Sequence, residues 1–143
     1  MKGVLRALTE NEASTDPSSV DERLRGRTYT IPFDPVWKAA VGLAGGELSG
    51  WKILSADDRA GIIYALVRTR LTGSETDVRV SIGLDQNAQT RVDLASSSRT
   101  GRGDLGRARR HIGRFLARLD EALKVAPDQV LDPATMSAYL GHS

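Results

Sequence analysis

Between Asp77 and Leu84 the chain alternates without a break. Val78, Val80, Ile82 and Leu84 take one parity, and Asp77, Arg79, Ser81 and Gly83 the other. Successive side chains of a strand point to opposite faces, so the segment predicts a strand with one dry side and one wet side. Such a strand needs pairing partners along its edges and a second layer over its apolar side.

The neighbouring segments supply both. Tyr29, Ile31 and Phe33 alternate as a first strand, which Pro32 confines to a sheet edge. Asp34-Pro35 then reads as a helix start, with an acid at the cap and proline at the first helical position. Val36, Trp37, Ala40, Val41 and Ala44 form its apolar stripe, and Gly45-Gly46 stops it. Trp51 to Leu54 and Ile62 to Leu71 predict two more strands around a turn at residues 57–61. After Leu84, a loop at residues 85–89 leads into a last strand from Arg91 to Ser98, with Val92 and Leu94 inward. A long helix opens near Asp104. Ala108, Ile112, Phe115, Leu116, Leu119, Ala122 and Leu123 recur on one of its faces, and Pro127 closes it.

The expected fold is α+β with the order β-α-β-β-β-β-α: a five-stranded antiparallel sheet carrying two helices, Pro35–Ala44 and Leu105–Lys124, on one face. This order resembles the TATA-binding-protein-like and helix-grip folds, a likeness that implies no function by itself. Residues 27–124 form the expected single domain. Residues 1–26 are expected as a mixed-charge arm, within which Ser19-Val20-Asp21-Glu22 fits a capping box for a short helix ending at Leu24. Residues 125–143 form a C-terminal segment whose short helix begins at Asp132-Pro133. Val130, Leu131, Met136, Tyr139 and Leu140 are too apolar for a solvated tail. The segment is expected to dock on the sheet, in this chain or in a neighbouring copy, which would make an oligomer.

Phase also predicts what the helices leave uncovered. With Ile63, Ala65 and Val67 inward, Ile62, Tyr64, Leu66, Arg68 and Arg70 turn outward beside Asp77, Arg79, Ser81, Arg91, Asp93 and Ser97. A solvated lattice of weak cross-strand ion pairs is the commoner use of such a face. Its apolar end at Ile62, Tyr64 and Leu66 is the part suited to a contact.

The charge is unevenly spread. Seven arginines and one acid, Asp104, lie between Arg99 and Arg118 in a chain of net charge +2, so the rest carries −4. Arg107, Arg109 and Arg110 occupy the first turns of the long helix, whereas Asp120 and Glu121 sit near its end. This order opposes the helix dipole, at roughly 0.3–1 kcal/mol for each exposed charge. Either acids elsewhere in the fold neutralise the cluster, or an anionic partner does. The candidate contact residues are Arg99, Arg102, Gly103, Arg107 and Arg110, at a glycine-rich turn with free backbone N–H groups. If Arg99 is instead turned inward, Arg102, Arg107 and Arg110 carry the contact.

Gly101-Arg102-Gly103-Asp104-Leu105-Gly106 spells a dinucleotide-binding fingerprint. That fingerprint belongs to a parallel strand-helix-strand unit, and no convincing core strand follows Gly106. The glycines serve better as a turn and Asp104 as a helix cap.

Other chemistry finds little footing. With no cysteine, thiolate nucleophiles, disulfides and thiolate metal sites are excluded. His111 is expected on the polar side of the arginine helix and His142 near the end of the chain, neither with an acid at metal-ligand spacing. Ser96, Ser97 and Ser98 read as strand-end hydroxyls without a base. No catalytic residue, metal or cofactor is therefore expected. Aromatics are 5% of the chain, with only Tyr64 placed to stack on the open face, which ranks nucleic acid below other partners. No apolar run approaches the roughly 18 residues of a membrane span, and Arg6 interrupts the only leader-like start, so a cytoplasmic location is expected.

The run Ser96 to Gly106, a serine-rich strand end, Ser-Arg-x-Gly, and then Asp-Leu-Gly opening an arginine-rich helix, resembles the hallmark of the bacterial domain of unknown function 1499 family. Thr69-Arg70-Leu71 and Asp77-Val78 match its second motif, and the resemblance covers about Arg27 to Leu123. The chain departs from the family pattern at Thr72 and Ser74, where aromatics are usual, at Ala108, where asparagine is usual, and at Ala95, where arginine is usual. The resemblance implies importance for Ser98, Arg99 and Asp104 and supplies no reaction. The resulting expectation is a non-catalytic module that docks a protein or an anionic, membrane-associated partner. The alternative is a small carrier holding an apolar or anionic ligand between sheet and helices.

Overall fold

The computed structural model describes residues 12–99 and 105–131. Its strands are β1 (Glu12–Ser14), β2 (Arg27–Tyr29), β3 (Trp51–Asp57), β4 (Ile62–Arg68), β5 (Glu75–Leu84), β6 (Thr90–Ser98) and β7 (Val130–Leu131). Its two α-helices are α1 (Phe33–Gly42) and α2 (Leu105–Leu123). All seven strands join one sheet in the order β3-β4-β5-β6-β2-β7, and β1 also pairs with β6. Every pairing is antiparallel.

Among the described residues the expected count of five strands is therefore corrected to seven. β1 comes from the expected arm and β7 from the expected C-terminal segment. At three and two residues, both are too short to carry a period. Tertiary pairing makes them strands. Glu12–Ser14 lies against Ala95–Ser97, and Arg27–Tyr29 against Thr90–Val92, so the two strands divide one edge of β6 between them. β7 seals the outer edge of β2. Docking of the segment beyond Leu131, including the short helix at Asp132-Pro133, lies outside the described residues.

The inward phase holds as expected across the meander. Ile63, Ala65 and Val67 of β4, Val78, Val80 and Ile82 of β5, and Val92 and Leu94 of β6 are all buried. Leu84 keeps the parity of Val78 but overhangs the hairpin end and is 62% exposed. α2 lays Ala108, Ile112, Phe115, Leu116 and Leu119 on this floor, each buried.

α1 starts earlier than its proline signal. Pro32, extended at φ −60° and ψ 163°, takes the cap position without a side-chain bond, and Phe33 is the first helical residue. Phe33 stacks on Trp37 with centroids 5.7 Å apart. That contact joins residues four apart and requires Phe33 to be helical rather than in a strand. The first strand accordingly ends at Tyr29. Asp34 and Pro35 remain in the first turn, where a missing N–H costs nothing. The buried stripe of α1 is Val36 and Ala40, continued by Leu43 and Ala44, while Trp37 and Val41 flank it half-buried. The chain leaves through a wider turn, Leu43–Glu47, in which Gly46 takes φ +130°.

The reversed charge order on α2 is partly explained by the fold. Asp120 accepts a hydrogen bond from the Tyr29 hydroxyl at 2.5 Å and another from Arg27 Nε at 3.1 Å, which fixes an acid near the helix end. Burial, reinforced by this carboxylate, pushes the Tyr29 hydroxyl well above the usual phenol range.

Candidate anion-binding site

Several elements converge beside the N-terminal half of α2. Arg107, Arg110, His111 and Arg114 recur at spacings of three and four, so they share one side of the helix. Thr69, just past β4, faces them across a cavity of about 510 Å³, and Arg23 enters from the short turn Glu22–Leu24. Gly113 makes Arg23's path possible: a Cβ there would lie 3.2 Å from Arg23 Cδ, so the arginine stem runs flat over the bare helix backbone.

His111 is the centre of the arrangement. Its ring meets Trp51 edge-on, with centroids 6.4 Å apart, and Trp51 in turn stacks on Phe115 at 5.2 Å. Its Nε2 atom is buried and has no hydrogen-bond partner among the described residues. Burial holds the imidazole pKa below its ordinary value of 6.5, and the charges of Arg107, Arg110 and Arg114 lower it further. The neutral form is thus the resting form at pH 7. Between the depressed value and 6.5 the unfolded chain binds more protons than the folded one, so this residue's contribution to stability is lost as pH falls through that window. An anion beside the ring would reverse the balance by favouring imidazolium.

The arginines are unequally committed. Arg107 Nη1 donates to Ser74 Oγ at 2.6 Å, and the Thr72 hydroxyl donates to the same oxygen at 2.9 Å. These are the two positions where the family pattern has aromatics. Arg23 is paired with Asp21 at 2.8 Å and holds that carboxyl below the usual carboxylate range. Arg110 and Arg114 are exposed, and within the described residues neither forms an ion pair or a side-chain hydrogen bond. Arg107, Arg110 and Arg114 therefore line one recess together with Arg23, Thr69 and His111, whose buried Nε2 has no partner among the described residues, and no acid lines it.

Of the residues expected from the sequence, Arg107 and Arg110 are brought together here. Arg99 is not. It reaches across the sheet to Asp77 with two bonds of 2.9 and 2.8 Å, and lies 3.9 Å from Glu75. It is neither turned inward on its own turn nor part of the recess. Arg102, Gly103 and the Asp104 cap lie outside the described residues. His111, expected on the polar side of α2, is corrected to the margin of the apolar stripe. It follows Ala108 by three and precedes Phe115 by four, and that spacing is the signal in the sequence. Arg23 and Arg114 join the recess without having been expected there. Only the mid-helix Gly113 hints at a side chain crossing the helix.

The open face of the sheet carries ion pairs, though Arg91 on Asp93 at 2.8 Å lies within one strand and only the pairing of Arg99 with Asp77 and Glu75 crosses between strands among the described residues. Tyr64 is 47% exposed beside its cross-strand neighbour Arg79. Among the described residues, no three His, Cys, Asp or Glu side chains converge as a metal site, and no helix is long and apolar enough to cross a membrane.

Fold and recess together define an antiparallel α+β domain with a cationic pocket on one side of its longest helix. The chain belongs to the family described as "Protein of unknown function (DUF1499)", which it matches over residues 8–119. The match begins well before the Arg27 boundary expected from the motifs. It takes in β1 and the Arg23 turn as well as the arginine segment of α2. No curated protein matches the chain.

Proposed function

We propose that this chain is a non-catalytic binding module whose partner presents a phosphate-class anion to the recess around His111. The observation that carries the reading is the surplus of donors there. Arg110 and Arg114 have no counter-charge among the described residues, and the His111 ring nitrogen is buried without a partner. A carboxylate's single charge would leave most of this surplus uncompensated. A dianionic tetrahedral group matches both the charge and the number of forked donors. An apolar or anionic ligand held between sheet and helices, the carrier alternative, would have to displace Tyr29, Phe115 or Leu116, each fully buried.

Calorimetric titration with inorganic phosphate at low salt tests the proposal. Wild type should bind weakly, with affinity falling as salt rises, because exposed charges are screened beyond about 8 Å at physiological ionic strength. Arg110→Ala/Arg114→Ala should lose at least about tenfold in affinity, or about 1.4 kcal/mol. Both side chains are exposed, so the melting temperature should stay within a few degrees. Equal binding by wild type and the double variant would refute the assignment, as would no binding by wild type.

A further inference from the structure

The recess at His111 is one of two adjoining cavities. The second, of about 330 Å³, shares Thr69, His111 and Arg114 with the first. Its remaining wall comes from the β3 start and the β4 end: Gly50, Trp51, Val67 and Arg70 are the relevant parts. Gly50 brings these ends together. It takes φ +89°, its carbonyl accepts the Arg68 N–H at 2.9 Å, and a Cβ would sit 2.5 Å from the Arg68 carbonyl oxygen.

Each lobe therefore has cations of its own, Arg23, Arg107 and Arg110 in the first and Arg68 and Arg70 in the second. Arg114 stands on the boundary between them. Arg70 is exposed and, like Arg110, forms no ion pair or side-chain hydrogen bond among the described residues. The nearby acids are engaged elsewhere: Asp21 holds Arg23, and Glu75 and Asp77 face Arg99. Separate sets of cations flanking a shared, half-buried His111 and Thr69 match two separate anionic groups better than one.

We infer that the ligand carries two phosphoryl groups on one spacer, one seated in each lobe with the spacer crossing Thr69 and His111. This rests on the reading of the recess as a phosphate-class site and adds the number and arrangement of the groups. The second group binds at the effective concentration set by the spacer. A spacer of the right span therefore multiplies affinity, and one that cannot reach gains nothing.

The test compares inorganic phosphate with a series of alkanediol bisphosphates of increasing length, at one ionic strength, by calorimetry on the full chain. At an optimum length a bisphosphate should bind at least about tenfold tighter than phosphate. Arg70→Ala should remove that advantage while leaving phosphate binding in place. Arg110→Ala should weaken both. A flat response to spacer length would overturn the inference without touching phosphate binding, as would an advantage that survives Arg70→Ala. Failure of every probe, phosphate included, would remove both readings. A final arm separates sources of the same chemistry by comparing phosphatidylcholine vesicles containing a phosphatidylinositol bisphosphate with the soluble inositol bisphosphate headgroup. Tighter binding to vesicles assigns the two groups to a lipid, and equal binding assigns them to a soluble ligand. Binding to neither would contradict the inference if the alkanediol series also fails.

Discussion

Phe115→Ala should destabilise the domain by about 3–5 kcal/mol, the range for emptying a fully buried aromatic site. Phe115 has no exposed surface and joins α2 to the floor of β4, β5 and β6 within one apolar cluster. It also stacks on Trp51, the residue against which His111 is set. The truncation leaves a cavity between the two layers that neighbours fixed on a sheet and a long helix fill only in part. Urea unfolding should show a lowered midpoint with an unchanged slope, the signature of lost stability without a change in exposed surface. A loss below about 1 kcal/mol would contradict the packing described for this ring.

Gly61→Ala should cost more than roughly 2 kcal/mol, although it adds a single methyl. Gly61 sits between β3 and β4 at φ +71°, a conformation that costs an L-residue about 1–2 kcal/mol. A Cβ there would fall well inside contact distance of the Ile82 carbonyl oxygen, and that obstacle is backbone in a central strand. The two segments are also tied, because the Ile82 N–H donates to the Gly61 carbonyl at 2.7 Å. Gly73→Ala separates the two effects. Gly73 takes a similar φ of +69°, but nothing lies within 4 Å of the point its new methyl would occupy, so only the conformational cost applies. Equal losses for the two variants, compared by urea unfolding, would show that the turn does not press on β5 as described.

These two residues mark what was legible in the sequence. Phe115 stands at helical spacing within a long apolar stripe, and its burial follows from periodicity alone. The β4–β5–β6 meander was legible for the same reason, because each strand repeats its parity over many residues. β1 and β7 are too short to repeat anything. Ile31 and Phe33 continue the parity of Tyr29, but a helical stack on Trp37 outweighs it.

The candidate site was legible only as charge. Arg107 and Arg110 stand out because they cluster in sequence. Arg23, Thr69 and Arg70 reach the same place through the fold, from distant segments; Thr69 and Arg70 belong to a family-like motif, but nothing local in it points to this recess. The arginines around His111 suggest a polar face, while its spacing to Ala108 and Phe115 puts it at the core margin. Arg99, the most conspicuous member of the family-like motif, is spent on Asp77 across the sheet.

The most direct measurement is the imidazole titration of His111, followed by NMR with His142→Gln so that one ring reports. Sulfate is the probe, since it stays dianionic across the range and its own protonation cannot mimic an effect. Without anion the pKa should lie below 6.5, the direction set by burial and the three helix arginines. Saturating sulfate should raise it, because an anion in the recess stabilises imidazolium; by linkage, sulfate affinity should then rise as pH falls from the raised value to the depressed one and level off below it. A pKa that is depressed and moves upward with sulfate is the predicted result. The same pKa with and without sulfate would contradict an anion site at His111.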